Sequence, residues 1–180
     1  METTLRPRYE HMRAVTGFTL IELLVVIGII GLIAAIGFVT FGRTTIEARD
    51  SIRKTELNQL GRFLGAAGSG ITQYIPDTAS QEGDLANLIQ AIEEKYGANA
   101  FRQKPFDPKY DKGGGLTGYR YMLDAQRNIA IFANLENGEE PITIIDVSAP
   151  MPRGGSGVWQ GIGTWAQGWN GTDKYYQVSN

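Results

Sequence analysis

The side chains of this chain that could carry out chemistry are mainly carboxylates, lysines, tyrosines and hydroxyls. The sequence of 180 residues contains no cysteine, and its single histidine, His11, lies close to the start. Thiolate nucleophiles and cysteine-based zinc sites are therefore excluded, and so are Ser-His-Asp triads if the N-terminal segment is removed. We accordingly expect no catalytic residue and no enzymatic activity.

Carboxylates in the second half of the chain are the candidate ligands for a metal ion. Calcium requires about 6–8 converging oxygens, and no D-x-D-x-D-G run supplies them from one loop. We therefore expect no metal and no cofactor, with calcium kept as the alternative. The oxygen donors considered are Asp107, Asp111, Glu136, Glu139, Glu140, Asp146 and Asp173.

Glu22 is the carboxylate with the most unusual surroundings. It is the one charged residue among the 24 residues from Phe18 to Phe41. A helix of that length spans about 36 Å, enough to cross a hydrocarbon layer of ~30 Å. A charge at the centre of such a helix costs ~2.5–3.5 kcal/mol, so its presence indicates a functional site. Two alternatives explain the apolar segment without a functional role for Glu22: a plain membrane anchor, and a secretory signal that is cut after Gly37.

The residues before the apolar segment form a motif together with its first five residues. A leader with Arg6, Arg8 and Arg13 precedes Gly17-Phe18-Thr19-Leu20-Ile21-Glu22. This arrangement resembles the type IV prepilin signal. The resemblance implies that a prepilin peptidase cuts between Gly17 and Phe18 and methylates the new amine of Phe18. It also implies that Glu22 acts in assembly, by contacting the Phe18 amine of a neighbouring subunit.

The same resemblance implies location and partners. The mature protein would be a single-pass protein of the inner membrane, with an extracytoplasmic C-terminal domain, and would assemble into a pilus or pseudopilus. Its partners would be identical or related pilin subunits, the prepilin peptidase, the inner-membrane assembly platform and, before assembly, membrane lipid. The charges flanking the apolar segment leave the orientation open, since arginines lie on both sides of it. The net charge of −2 does not favour a nucleic-acid partner.

One long helix is predicted from about Phe18 to about Leu64, since no proline interrupts residues 18–75. Its second half has an apolar stripe, with Arg53 pointing outward and Asp50 on the solvated face. We divide the chain into a leader (1–17), a transmembrane and assembly half of the helix (18–42) and a globular domain (43–180).

An α+β fold follows from the rest of the pattern. The sequence predicts a second helix over 82–96, a loop over 101–115, and strands over 119–123, 128–135 and 142–147. The long helix would pack on this small antiparallel sheet of about three strands, as in pilins.

The tail from about residue 151 is rich in glycine and contains all three tryptophans, Trp159, Trp165 and Trp169. One interpretation is an exposed aromatic platform for sugars or partner subunits. The other is a loop and terminal strand that cover the sheet, with the aromatic rings in the core.

A structural fibre subunit is the function class that these features favour. Pro105-Phe106-Asp107-Pro108, followed by Tyr119 and Tyr121, resembles the proline-rich loop and Tyr-x-Tyr strand of major pseudopilins of type II secretion. That family binds calcium in an acidic C-terminal loop, which a nearly acid-free tail replaces here. A type IV pilin for adhesion, motility or DNA uptake is the first alternative, and a membrane-anchored binding domain that uses the aromatic tail is the second.

Overall fold

The computed structural model describes residues 17–66, 75, 81–98, 101, 104–110 and 115–179. The leader before Gly17, and with it His11, lies outside the described residues. The chain divides between Phe41 and Gly42 into two compact units. The first contains the apolar segment, and the second contains the sheet and the helices that cover it.

Helix α1 runs from Leu20 to Ala66, 47 residues without a break. This confirms the predicted long helix to within two residues at each end. Within the second unit, α1 buries Leu57 and Leu60 against the sheet. Gly61 lets strand and helix approach closely, because a Cβ atom at this position would overlap the side chain of Val178.

Five short antiparallel strands form one sheet: β1 (Glu82–Asp84), β2 (Arg120–Leu123), β3 (Ile129–Asn134), β4 (Gly157–Gln160) and β5 (Lys174–Ser179). Their order in the sheet is β1-β2-β3-β5-β4. The α+β, pilin-like layout is confirmed, with five strands where about three were expected. The predicted strands at 119–123 and 128–135 correspond to β2 and β3.

Helix α2 extends from Leu85 to Tyr96, so the predicted second helix is confirmed with a later start. Asp84 is its N-cap, and the carboxylate accepts a hydrogen bond from the Ala86 N–H at 2.8 Å. The same oxygen accepts bonds from the backbone N–H and the hydroxyl of Thr117, both at 2.9 Å. An N-cap residue has an extended rather than a helical backbone, which is why α2 starts after Asp84. Residues 82–84 can therefore pair with β2 as a short strand.

The predicted strand over 142–147 is wrong. Thr143 and Ile144 donate their backbone N–H groups to the Val158 carbonyl, at 2.8 and 2.9 Å, so this segment lies beside β4. The Val158 N–H, however, donates to the Thr143 hydroxyl at 2.7 Å rather than to a backbone carbonyl. A side chain thus replaces the next ladder bond, and the chain turns away with Ile145 89% exposed.

The core lies on both faces of the sheet. Ile131 faces α1 and α2, while its neighbour Phe132 faces the C-terminal tail, as strand alternation requires. Trp159 and Tyr175 are buried in the second cluster, with rings stacked at a centroid distance of 4.4 Å. Trp165 and Trp169 are half-buried and pack against this cluster, so the structure supports the interpretation of the tail as a cover for the sheet rather than an exposed aromatic platform.

Candidate functional site

The N-terminal motif lies at the start of α1. Gly17 and Phe18 precede the helix, and the Phe18 side chain is 84% exposed. Thr19 and Glu22 form a reciprocal capping arrangement. The Thr19 N–H and hydroxyl donate to Glu22 Oε2 at 3.0 and 2.8 Å, and the Glu22 N–H approaches Thr19 Oγ1 at 3.3 Å. This arrangement is a capping box, which fixes where the helix begins.

The capping box keeps the Glu22 carboxylate in the first turn of α1, where the helix dipole favours negative charge. The carboxylate of Glu22 is therefore held about one helical turn from the peptide bond that joins Gly17 to Phe18. A Phe18 amine forms only after cleavage, so the pairing of Glu22 with that amine stays a prediction, as do cleavage and methylation at these residues.

The apolar segment that follows is exposed at every position from Phe18 to Ile36. By length and composition, one helix among the described residues could cross a membrane, and none of its most apolar stretch is buried within the chain. Side chains such as Ile21, Leu32 and Ile36 are between 64 and 70% exposed. Water is an unfavourable surrounding for so much apolar surface, so lipid or other protein chains must cover it.

A buried cluster of charges joins α1 to two loops in the second unit. At its centre is Arg53, which is fully buried. Its guanidinium contacts three carboxylates, with the closest atoms 2.7 Å away in Asp50, 2.6 Å in Asp107 and 2.8 Å in Glu136. The predictions that Arg53 points outward and that Asp50 is solvated are therefore wrong.

Glu136 is the carboxylate with the most cationic partners in this cluster. Arg49 binds it through two hydrogen bonds of 2.7 and 2.6 Å, and Lys109 lies 3.3 Å away. Burial opposes its ionisation, but the bonds from Arg49, Arg53 and Lys109 outweigh burial and lower the pKa of Glu136 to about 2. Burial also disfavours the charged form of Arg53, yet its carboxylate partners raise the Arg53 pKa above the usual value. Glu136 and Arg53 are therefore both ionised at neutral pH.

Backbone groups complete the cluster. The N–H groups of Glu136 and Asn137 donate to the Asp50 carboxylate, with distances of 3.0 and 2.8 Å. The i,i+3 spacing of Asp50 and Arg53 was visible in the sequence. Their loop partners at 107 and 136 were not, because nothing in the local pattern shows which distant carboxylate a helix meets.

Most of the candidate calcium ligands that the structure describes contact cationic side chains. Asp107 and Glu136 contact Arg53, Glu139 pairs with Arg43 at 3.0 Å, and Glu140 pairs with Lys54. Asp111 lies outside the described residues. Within the described part of the chain, no group of three or more Asp, Glu, His or Cys side chains is arranged to hold a metal ion.

Tyr119, ahead of β2, contacts the same stretch of α1. Its hydroxyl donates to Glu56 Oε2 at 2.7 Å, and the Phe106 N–H donates to the same oxygen at 3.1 Å. Burial and the contact with Glu56 raise the pKa of Tyr119. The proline-rich loop and the strand with the Tyr-x-Tyr pattern are thus both anchored on α1 by one glutamate.

Comparison with protein families finds a match at the N-terminal end of this chain. Residues 12–38 match the family described as the prokaryotic N-terminal methylation motif. The match includes Gly17, Phe18 and Glu22, so the chain carries a type IV prepilin-like signal. Comparison with curated proteins and with solved structures gives no match.

Proposed function

We propose that this chain is a structural subunit of a type IV pilin-like fibre, and specifically a pseudopilin that polymerises through α1 to support type II protein secretion. The observation that carries this proposal is the methylation motif at residues 12–38, followed by an exposed apolar helix and a separate folded unit. An ordinary membrane anchor has no use for a cleavage and methylation signal on the N-terminal side of its helix.

The apolar segment explains how one chain can exist in two surroundings. Burying one exposed Leu, Ile, Val or Phe side chain contributes about 1.5–3 kcal/mol, whether lipid or another helix covers it. Lipid covers the segment before assembly, and the same segments of neighbouring subunits cover it in the fibre. Transfer between these surroundings therefore needs little net change in hydrophobic free energy.

Processing prepares the segment for assembly. We propose that a prepilin peptidase cuts between Gly17 and Phe18 on the cytoplasmic side of the inner membrane and methylates the Phe18 amine. The amine keeps its positive charge, and Glu22 is its partner in a neighbouring subunit. The folded unit from residue 43 onward lies on the extracytoplasmic side.

The assignment to a pseudopilin rests on the loop that precedes β2. Asp107 and Tyr119 contact Arg53 and Glu56 on α1, so the Asp-Pro loop and the Tyr-x-Tyr strand join the helix to the sheet. This is the part of the chain that resembles major pseudopilins. The alternative function, a subunit of a type IV pilus, shares the N-terminal motif.

Gene deletion in the source bacterium separates the two. If the chain is a pseudopilin, deletion removes proteins from the culture medium and leaves surface pili and twitching motility intact. The plasmid-borne gene restores secretion, and a variant with Gly17 replaced by Leu does not. Loss of pili or motility with normal secretion would contradict the pseudopilin assignment and favour the pilus subunit.

A further inference from the structure

A strip of exposed residues runs along α1 in the second unit, on the side away from the sheet. The strip has a negative charge, Glu47, near one end and a positive charge, Arg62, near the other. Every residue of the strip between these two is uncharged. The exposed residues that define this outer strip are Glu47, Ala48, Ser51, Ile52, Thr55, Gln59, Arg62 and Phe63.

Glu47 and Arg62 are unusual among the charged residues of this part of α1. The others face polar partners: Arg43, Arg49, Arg53 and Lys54 pair with carboxylates, and Asp50 and Glu56 accept hydrogen bonds. Neither Glu47 nor Arg62 forms an ion pair or a hydrogen bond with any residue that the structure describes. Their side chains are therefore available to another molecule.

The outer strip also exposes apolar surface. Ile52 is 45% exposed and Phe63 is 50% exposed. Ser51, Thr55 and Ala48 are small, so a second helix can approach this side of α1 closely. Two opposite charges at the ends of a strip with small and apolar residues between them match a second copy of the same strip that is shifted along the helix axis.

We propose that the outer strip of α1 is a contact between subunits, in which Glu47 of one copy pairs with Arg62 of a second copy. This inference rests on the proposed function as a fibre subunit. Glu47 and Arg62 are fifteen positions apart, which is about 22 Å along the axis and about 60° around it. Parallel helices that are shifted by roughly that distance, and rotated about their axes so that the two outer strips face each other, bring the two charges together. The reach of the arginine absorbs part of the remaining angular difference.

Crosslinking in assembled fibres tests the contact directly, since the chain has no cysteine of its own. The full-length double variant Glu47→Cys/Arg62→Cys is assembled, sheared from cells and treated with a short bismaleimide. We expect a ladder of covalent multimers. A crosslink within one helix is excluded, because the two positions are about 22 Å apart. Each single variant should give no ladder. The pair Glu47→Cys with Glu94→Cys, which places the second thiol on the exposed face of α2, should also give none.

Charge reversal provides an independent measurement. Glu47→Arg and Arg62→Glu each place like charges at the contact, and we expect each to lower the yield of sheared fibres by roughly fivefold or more. The double reversal restores the opposite charges and should recover most of the yield. Both side chains are exposed and have no polar partner among the described residues, so the amount of processed, folded subunit in the membrane should not change.

The outcomes separate this contact from the proposed function. If the unchanged chain is processed and forms fibres, but the double cysteine variant gives no ladder and the double reversal gives no recovery, the outer strip is not a subunit contact. A crosslink to a different protein would also overturn the proposal, since it would identify another occupant. If the unchanged chain is not processed and forms no fibres, both the contact and the proposed function are wrong.

Discussion

Arg53 and Asp107 are 54 positions apart in the chain and form a buried, bidentate ion pair. Arg53 Nε lies 2.8 Å from Asp107 Oδ2, and Arg53 Nη2 lies 2.6 Å from Asp107 Oδ1. Neither side chain is more than 1% exposed. A buried charge is tolerated only when its partners are in place, so this pair fixes the position of the proline-rich loop on α1.

The unit that contains this pair should fold without the membrane segment. We expect a fragment of residues 43–180 to be soluble, folded and largely monomeric, because the exposed apolar side chains between Phe18 and Ile36 are removed while Leu57 and Leu60 keep their contacts with the sheet. Circular dichroism and size-exclusion chromatography with light scattering measure fold and mass. Spontaneous fibres from this fragment would show that assembly does not depend on the apolar segment.

Replacement of Arg53 should strongly destabilise that fragment. Arg53→Met removes the cation and leaves three buried carboxylates, and breaking such a pair typically costs ~3–5 kcal/mol. Urea denaturation gives the free energy of unfolding. Arg62→Met is the matched control, since Arg62 lies exposed on the same helix, and it should change stability by less than about 0.5 kcal/mol. Equal effects of the two substitutions would mean that the buried cluster does not stabilise the unit.

Acid should weaken the same cluster through Glu136. Its pKa falls from 4.5 to about 2 on folding, so its contribution is complete above pH 4.5 and is lost as the pH falls toward 2. The shift corresponds to a contribution on the order of 3 kcal/mol. We expect the free energy of unfolding of residues 43–180 to decrease between pH 5 and about pH 2.5. Glu136→Gln should be less stable at pH 6 and should show a flatter decrease, and an unchanged slope would contradict the role of Glu136.

The aromatic rings of the tail should act as core residues. Trp159 is fully buried between Phe132 and Tyr175, so Trp159→Ala should cost about 3–5 kcal/mol and lower the urea midpoint. Ile145→Ala, at an apolar side chain that is 89% exposed, is the control and should have little effect. A Trp159→Ala fragment as stable as the parent would return the tail to the role of a surface platform.

Local sequence patterns predicted the parts of the fold that depend on local structure. Both helices are predicted correctly, because each segment lacks an interior proline and has apolar residues at helical spacing. The sequence does not predict β4, because Val158 and Trp159 favour a strand but lie in a stretch whose glycines favour a loop. Pairing with β5 determines the conformation of this segment. Residues 142–147 have strand propensity, but the hydroxyl of Thr143 ends the ladder.

The polar cluster was mispredicted for a different reason. A helical pattern assigns charged residues to solvent, so Arg53 was placed outward. The structure instead buries Arg53 because Asp107 and Glu136, from two distant loops, compensate its charge. Such compensation between residues far apart in the chain leaves no trace in local periodicity. The N-terminal motif, by contrast, was predictable, since all of its positions lie within a few consecutive residues.

Glu22 is the residue on which fibre assembly should depend most. In this structure it caps α1 through Thr19, and in a fibre its carboxylate is the partner expected for the Phe18 amine of a neighbour. Apolar helices pack with little preference for axial register, whereas one buried polar contact can specify it. We therefore expect Glu22→Ala to leave membrane insertion and cleavage after Gly17 largely intact and to abolish fibres or reduce them severely.

Two further substitutions separate the roles of Glu22 in capping and in charge pairing. Glu22→Gln keeps an oxygen that can complete the capping box but removes the charge, so it should fail like Glu22→Ala if pairing with the amine sets the register. Glu22→Asp keeps the charge with a shorter reach and should give an intermediate yield. The yield of sheared fibres is measured beside the processed membrane pool by immunoblotting. Normal fibres from Glu22→Gln would assign Glu22 to helix capping, because the capping box survives that change and the charge does not.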